Sequence, residues 1–422
     1  MPEALSMNQF REKPQSSAIE RHPISPPEPG LSQEEIIRRA RAMVPWLREQ
    51  APAMELERRM SDEVNQRLID AGIYRILQPR RFGGYEFDLW TYAEVISEIA
   101  RGDGSTGWVV SFNTAHNWWI AQLPEDGQAE IFGSDGDVRA PIQIGGVGTA
   151  TPVDGGWIVD GKWDYASGCD VSNWFGVIAM TPGKPDMPPD ILMAMLPIAE
   201  CRVFDNWYVL GMRASGSKQA IVERVFVPAR RVLSFSRLIH EFTSPGQTVH
   251  ANPMFRLPLL PVVYTELAAV ARGLAQAAVD AFIDLVSGKR LRQPPFIPLR
   301  ETRRAQACLG RAVARLESVR AGLNEIIRRQ EARASRLDSG PPFTDAEQRR
   351  DLLLLDQVAQ LSNECVQICF HGAGTSAART GHPLERIFRD SAMMLTHYFI
   401  DAERTTENFG AMSFGLPPYS DL

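Results

Sequence analysis

The sequence lacks several features that mark whole classes of protein. No uncharged apolar run among its 422 residues is long enough to cross a bilayer, and the N-terminus has no apolar segment typical of a secretory signal. Lys and Arg number 45 against 51 Asp and Glu, so there is no surplus of positive charge with which to bind nucleic acid. We therefore expect a cytoplasmic protein that binds neither membrane nor nucleic acid.

Signatures of metal, disulfide and dinucleotide sites are also missing. The five cysteines include no Cys-x-x-Cys pair, and no nearby His or Cys completes a zinc set around Cys365 and Cys369. No G-x-G-x-x-G motif follows a predicted strand, so no segment is suited to NAD(P)H. We expect reduced thiols, no metal site, and a separate reductase wherever electrons from NAD(P)H are needed.

The patterns that are present divide the chain into blocks. A Pro-, Ser- and Gln-rich start precedes helical periodicity, in which Ser32 and Glu35 have the spacing of a capping box. Short β-prone runs follow, and "VDGG" at 153–156 predicts a hairpin turn. Long helical patterns sufficient for a four-helix bundle complete the chain. The predicted segments are a flexible 1–30, a helical domain over 31–138, a β domain over 139–235 and a helical bundle over 236–422.

Three stretches make the chain resemble a known family. They are "GWIVDGKWDYASGCDVSNWFGV" at 156–177, "LGMRASGSKQAIVERVFVP" at 210–228 and "HGAGTSAARTGHPLERIFRD" at 371–390. In this order they resemble the acyl-CoA dehydrogenase fold from about residue 32 onwards. The resemblance implies a mostly α protein with a central β domain. Its parts would be an N-terminal helical domain, a middle β-barrel-like domain and a C-terminal four-helix bundle.

The same resemblance implies a flavin site. The small residues that follow Tyr165 allow a large flat ring to approach the backbone, and Ser167 is expected near flavin N5. A Pro-rich loop replaces the Arg-x-x-Phe-Gly turn that grips the pyrophosphate in acyl-CoA dehydrogenases, so FMN and FAD both stay open. The expected flavin-binding residues are Trp163, Tyr165, Ala166, Ser167, Arg213, Ser215, Gly372, Gly374 and Thr375.

The residues after the Arg-Asp pair at 389–390 bear on the reaction. Many acyl-CoA dehydrogenases have a catalytic Glu shortly after this pair, but that position falls at about Tyr398. His397 stands in the same window. Flavin monooxygenases of this fold share that His, an "SGCD" flavin strand and a further His in the N-terminal domain, here His116. The chain resembles these monooxygenases more closely than the dehydrogenases.

The monooxygenase resemblance implies a function. The chain would be the oxygenase component of a two-component 4-hydroxyphenylacetate or secosteroid-phenol hydroxylase type of system, using O2 and reduced FMN or FAD. A C4a-hydroperoxyflavin would transfer one oxygen atom to an aromatic or heteroatom-bearing small molecule, with His116 and His397 handling protons. An acyl-CoA dehydrogenase-like flavoprotein and a flavin-free scaffold stay open as alternatives. The expected substrate-binding residues are Trp118, Gln143, Trp207 and Tyr398, with Gln143 where phenol hydroxylases tend to have Ser.

The bundle helices predict an assembly. Residues 349–370 have apolar side chains on more than one face, which is more than one intramolecular bundle buries. We therefore expect a homotetramer, a dimer of dimers, with the segment 372–375 close to a neighbour's flavin.

The spacing of Asp390 and His397 predicts an orientation. Seven residues are two helical turns, so a continuous helix would project both side chains from one face. An arginine that holds Asp390 would then fix the helix end and direct His397 at the flavin.

Overall fold

Helices flank a single sheet in the computed structural model, which describes residues 24–183, 189–336 and 344–419. Within these ranges five helices precede the first strand, and long helices return after the last one. The predicted fold class, mostly α with a central β domain, is therefore confirmed. The helices are α1 (Gln33–Glu57), α2 (Asp62–Asp70), α3 (Leu89–Gly102), α4 (Gly104–Ile120), α5 (Glu125–Phe132), α6 (Phe235–His240), α7 (Leu259–Ser287), α8 (Arg303–Ala334), α9 (Asp345–Ala373), α10 (Pro383–Met394) and α11 (Ala402–Ser413). The strands are β1 (Ile142–Val153), β2 (Gly156–Ala166), β3 (Trp174–Met180), β4 (Ile191–Pro197), β5 (Arg202–Phe204), β6 (Lys218–Pro228) and β7 (Val232–Ser234).

The start of the described chain lies against the first helical domain. Ile24 forms an isolated β-bridge, and Glu28 accepts hydrogen bonds from Arg39 at 2.6 and 2.8 Å. Ser32 caps α1 by accepting the backbone N–H of Glu35, as the spacing predicts. Residues 1–23 of the predicted flexible segment lie outside the described residues. The predicted boundaries between the four segments stay predictions.

Helix α4 is the central helix of the N-terminal domain. Asp103 ends α3 and caps α4, because its carboxylate accepts hydrogen bonds from the Thr106 N–H and hydroxyl, both at 2.8 Å. Every residue of α4 except Phe112 is buried, since α3, α7 and the turn at 213–215 pack around it. The Gly-rich stretch "GDGSTG" at 102–107, which breaks the helical pattern of the sequence, is thus the place where α3 ends and α4 begins.

The seven strands form an open mixed sheet in the order β5-β6-β2-β1-β3-β4-β7. β1 and β2 are an antiparallel hairpin joined by Asp154 and Gly155, as predicted, and the φ of 76° at Gly155 suits the turn. Trp163 of β2 is buried in the core that belongs to the sheet itself, where its Nε1 donates to the Ile178 carbonyl at 2.9 Å. The sheet therefore presents the C-terminal end of β2, rather than its middle, to the helices.

The C-terminal helices form the expected bundle. α7, α8 and α9 pack pairwise, and α10 packs against α7 and α9. α10 ends at Met394, and the residues from Leu395 to Phe399 form turns. The prediction of a continuous helix from Asp390 to His397 is therefore wrong.

No helix among the described residues is both long and apolar enough to cross a bilayer. In the same ranges no group of three or more His, Cys, Asp or Glu side chains is positioned to hold a metal ion.

Candidate active site

An aromatic row follows one face of α4. Trp108, Phe112 and His116 are spaced by four residues, so their rings lie in line along the helix with centroids 4.8 Å and 5.6 Å apart. The His397 ring lies 5.3 Å from Trp108 and 6.3 Å from Phe112. The structure thus brings both predicted catalytic histidines next to Phe112. Sequence reasoning missed Trp108 and Phe112, although their spacing from His116 was visible.

His116 is held by the chain that leads into β1. Its Nδ1 lies 2.7 Å from the Ala140 carbonyl oxygen and 3.0 Å from the Ile142 nitrogen. Only one of these can be a hydrogen bond at a time, because Nδ1 either donates to Ala140 or accepts from Ile142. Burial lowers the pKa of His116 to about 4. The ring is therefore neutral at pH 7 and keeps Nε2 for another partner.

His397 lies in the turn after α10. Its backbone N–H donates to Met394 at 3.1 Å, and its Nδ1 accepts the Phe399 N–H at 3.3 Å. Burial lowers the pKa of His397 to about 4, so the ring is neutral at pH 7. Because Nδ1 accepts, the proton is on Nε2. His397 is therefore a neutral hydrogen-bond donor in the aromatic row.

Three serines form a hydroxyl cluster where β2 ends. Ser167 and Ser217 lie 2.7 Å apart, Ser217 and Ser215 also 2.7 Å, and the Trp108 indole N–H donates to Ser167 at 3.2 Å. Gly168 has a φ of 74°, and a Cβ at this position would overlap Val109 of α4. Glycine therefore lets the strand end approach α4 closely. Sequence reasoning found Ser167 and Ser215 but missed Ser217.

Tyr165 presents an aromatic ring beside this cluster. Its backbone has a φ of 68°, which is rare for a bulky residue, and 62% of its side chain is exposed. The ring meets the buried Trp207 edge-on at 6.0 Å, and the Trp207 indole donates to the Arg213 carbonyl at 3.1 Å. Next to the serines, Tyr165 therefore presents an exposed ring that is supported at its base by the buried, perpendicular ring of Trp207. The neighbouring Ala166 is buried and pairs with β6.

The remaining predicted residues occupy other places. Trp118 is fully buried, and its indole donates to Met254 at 2.9 Å, as expected of a core residue. Gln143 contacts the Asp164 carbonyl on the neighbouring strand. Tyr398 is exposed, with the Arg404 guanidinium 4.6 Å above its ring.

Three of the predicted flavin-binding residues, Gly372, Gly374 and Thr375, lie at the end of α9 and just after it. A groove of about 350 Å³ is lined there by Gly372 together with Arg304 and Arg311 of α8. A Cβ at Gly372 would overlap the Cys308 sulfur, so this glycine allows α8 and α9 to approach. Gly374 and Thr375 follow in a short 3₁₀ turn. No hydrogen bond between described residues joins this segment to the serine cluster.

Glu266 of α7 is a buried acid that sequence reasoning missed. Its carboxyl oxygens have no hydrogen bond of good geometry among the described residues, and the Trp119 indole is the polar group beside it. Burial raises the pKa of Glu266 well above its ordinary value.

Comparison with known proteins decides between the alternatives. The family models for the N-terminal and C-terminal domains of acyl-CoA dehydrogenase match residues 32–132 and 266–402. The flavin-dependent monooxygenase oxygenase subunit HsaA of Rhodococcus jostii (strain RHA1) is 31% identical over 389 residues, which cover 90% of this chain and 98% of that protein. The chain belongs to the flavin-dependent monooxygenases of the acyl-CoA dehydrogenase fold. The monooxygenase prediction is thus confirmed, and both alternatives are rejected.

Other relatives of this monooxygenase agree. The FADH(2)-dependent resorcinol hydroxylase, oxygenase component, of Rhizobium sp. (strain MTP-10005) is 28% identical over 91% of this chain and 95% of its own. The crystal structure of 3-HSA hydroxylase from Rhodococcus sp. RHA1 matches with a TM-score of 0.85 and 29% identity. It covers 92% of this chain and 98% of its own.

The residues of the monooxygenase site fit a flavin. An exposed aromatic side chain held in left-handed backbone is an unfavourable arrangement unless another group packs on it. The ring of Tyr165 supplies that surface, and Ser167 and Ser215 supply hydroxyls beside it. A planar ring with polar edges matches this combination.

The buried histidines of this monooxygenase predict a specific pH dependence of stability. The pKa of His116 is lowered to about 4 in the folded chain, against an ordinary value of 6.5. Between these values the unfolded chain binds a proton that the folded chain does not, so the contribution of His116 to stability falls as the pH falls. Between these two pKa values, His116 should lower the stability of the parent by up to roughly 1.4 kcal/mol for each pH unit that the pH falls. We expect this contribution to be absent in His116→Gln.

The measurement is the difference in free energy of unfolding by urea between His116→Gln and the parent at about pH 5 and about pH 7. The variant is compared with the parent at each pH because other groups also change the total stability over this range. The pKa values of Asp356 and Asp390 are raised to about 6 and about 7, so these two groups act in the opposite direction to His116. His240→Gln, at an exposed position, is the control. An unchanged difference across this pH range would show that His116 is not buried as a neutral ring.

Proposed function

We propose that this monooxygenase hydroxylates an aromatic small molecule, using reduced flavin supplied by a separate NAD(P)H-dependent reductase. The observation that carries the proposal is the pair of neutral histidines next to Phe112. Aromatic walls with two polar groups suit a ring that bears a hydroxyl or ring nitrogen. The term "oxygenase component" in the name of the resorcinol hydroxylase supports the separate reductase.

The chain's own residues divide the work of the reaction. When bound, the reduced flavin supplies the electrons with which O2 is activated for transfer of one oxygen atom. Tyr165, Ser167, Arg213 and Ser215 would hold the flavin. Trp108 donates to Ser167 and thereby orients the serine hydroxyl towards its remaining partners. The aromatic row excludes water from the same space.

The two histidines have different parts in the proposal. His397 donates through Nε2, because its Nδ1 accepts the Phe399 N–H. His116 accepts a hydrogen bond at Nε2 when its Nδ1 donates to Ala140, which is the shorter of its two contacts. With a pKa of about 4, His116 orients a substrate hydroxyl without taking up a proton at pH 7.

The test of the function supplies chemically reduced FMN or FAD, isotopically labelled O2 and a panel of phenols and indoles. We expect one labelled oxygen atom in the product by mass spectrometry, without any reductase present. Hydrogen peroxide as the sole product from every aromatic compound would contradict an aromatic substrate. The same experiment ranks FMN against FAD.

The serine cluster gives a second measurement. We expect Ser217→Ala to weaken reduced-flavin binding about 2- to 10-fold, because it removes one neutral hydrogen bond from Ser167. Fluorescence titration measures the affinity, and Ser318→Ala is the control, since Ser318 bonds only to its own helix. An affinity equal to that of the parent would remove Ser217 from the proposal.

The proposal includes a cytoplasmic homotetramer. The groove at the end of α9 supports it, because Arg304 and Arg311 lie beside Gly372 and can bind a phosphate brought by a neighbour's flavin. Light scattering at micromolar concentration should give four times the mass of one chain. A stable monomer would contradict the assembly.

A further inference from the structure

A second cavity lies apart from the flavin-binding residues. It has a volume of about 320 Å³ and is formed where the beginnings of α4 and α10 meet α1, α3 and α7. That volume corresponds to on the order of ten water molecules, so it can hold a small organic molecule. None of the residues assigned above to flavin or substrate lines it. Its charged and titratable lining residues are Arg48, Arg101, Asp103, Asp284, His382, Arg386 and Asp390.

Arg386 is the unusual member of this lining. It is 9% exposed, and among the residues that the structure describes none forms a hydrogen bond or ion pair with its guanidinium. Arg48 and Arg101, by contrast, each bond the Asp280 carboxylate at 2.6 Å. A guanidinium that is nine-tenths buried and has no partner in the described chain bonds to solvent or to a molecule in the cavity.

The acids of the lining do not neutralise Arg386 by contact. The Asp103 carboxylate is engaged by Thr106 at the start of α4. Asp390 accepts the Met212 N–H at 2.6 Å, and burial next to Asp103 raises the pKa of Asp390 to about 7. Asp284 is exposed at the mouth of the cavity. At neutral pH the interior of the cavity therefore has an unpaired positive group.

The rest of the wall is apolar. It consists of small and branched aliphatic side chains from three helices, namely Ala100, Ala277, Ala281, Leu285 and Ile387. A single ion would leave these surfaces against water or empty space, whereas a molecule with an apolar body would cover them.

We propose that this cavity binds a small carboxylate with an apolar body, held by a bidentate contact to Arg386. A guanidinium presents two parallel N–H groups, and a carboxylate is the planar anion that matches them. The apolar body would lie between α7 and α10, against Ala281 and Ile387. The proposal is independent of the flavin site, because it uses none of that site's residues.

The probe is 4-bromobenzoate, with neutral 4-bromobenzamide as its uncharged counterpart. We expect the bromine of a soaked crystal to lie in this cavity by anomalous scattering, and calorimetry to detect the acid but not the amide. Arg386→Gln should weaken binding about 10- to 100-fold, since a charge-assisted pair is lost. Arg38→Gln, at an exposed arginine of α1, is the matched control and should bind as the parent does.

A second variant keeps Arg386 and fills the space. Ala281→Met should reduce binding without any change in charge, and circular dichroism checks that both variants fold. Bromine found only in the aromatic row of His397 and Phe112 would overturn the proposal. So would equal affinity in Arg386→Gln, displacement of the probe by FMN or FAD, or no binding of the acid at all.

Discussion

Replacement of His397 with alanine is expected to lower product formation by about two to four orders of magnitude, while flavin oxidation continues. His397 is the neutral Nε2–H donor of the aromatic row, and alanine removes that donor entirely. Oxygen uptake should then be diverted to hydrogen peroxide. Folding and flavin binding should stay close to those of the parent, because the ring lies in a turn and its loss opens no large core cavity.

The measurement is the ratio of product to oxygen consumed, with reduced flavin supplied directly. His240→Ala is the control, because His240 is exposed on α6. His397→Asn tests whether a hydrogen bond alone is sufficient, since asparagine donates but does not titrate. Near-normal coupling of oxygen uptake to product in His397→Ala would make His397 a structural residue.

Trp163 and Tyr165 are expected to respond to mutation in opposite ways, although both were assigned to flavin binding from the sequence. Trp163→Ala should lower the free energy of unfolding by about 3–5 kcal/mol, because the indole is fully buried and bonds Ile178. Gly148 packs so closely on this ring that a Cβ there would overlap it. Gly148 has no side chain with which to fill the space that alanine leaves.

Tyr165→Ala should change the free energy of unfolding by less than about 1 kcal/mol, since the ring is mostly exposed. It should weaken flavin binding about 2- to 10-fold, through the loss of a stacking surface. Urea unfolding and fluorescence titration separate the two effects. Equal loss of stability in the two variants would show that Tyr165 is a core residue in solution.

Local patterns made the order of the elements predictable. The Ser32 cap, the Asp154–Gly155 turn and the break before α4 each depend on a few neighbouring residues, and the structure has all three. The resemblance to the family was also carried by short stretches, namely the flavin strand and the bundle segment. It identified the family and suggested His116 and His397, which the structure then brings to one row.

Tertiary structure decided the features that depend on distant parts of the chain. Strand alternation would place Trp163 and Tyr165 on the same face. A register shift between Trp163 and Ala166, together with the positive φ of Tyr165, turns the two rings apart. Likewise, α10 ends at Met394, so His397 lies in a turn and not on the helix that its spacing from Asp390 predicts.

The sequence by itself indicated the family and its chemistry, because short stretches carry the resemblance, and it predicted a role for two histidines. Only the folded chain decided which side chains face a ligand, since burial depends on what packs against each residue. Phe112 is the one residue of α4 that is not buried, although its sequence neighbours Ser111 and Asn113 are polar and buried. Among the described residues Arg386 has no hydrogen-bond or ion-pair partner, although Arg48 and Arg101 of the same cavity both bond Asp280. Both properties arise from the packing of α4, α7 and α10, which no short stretch of sequence contains.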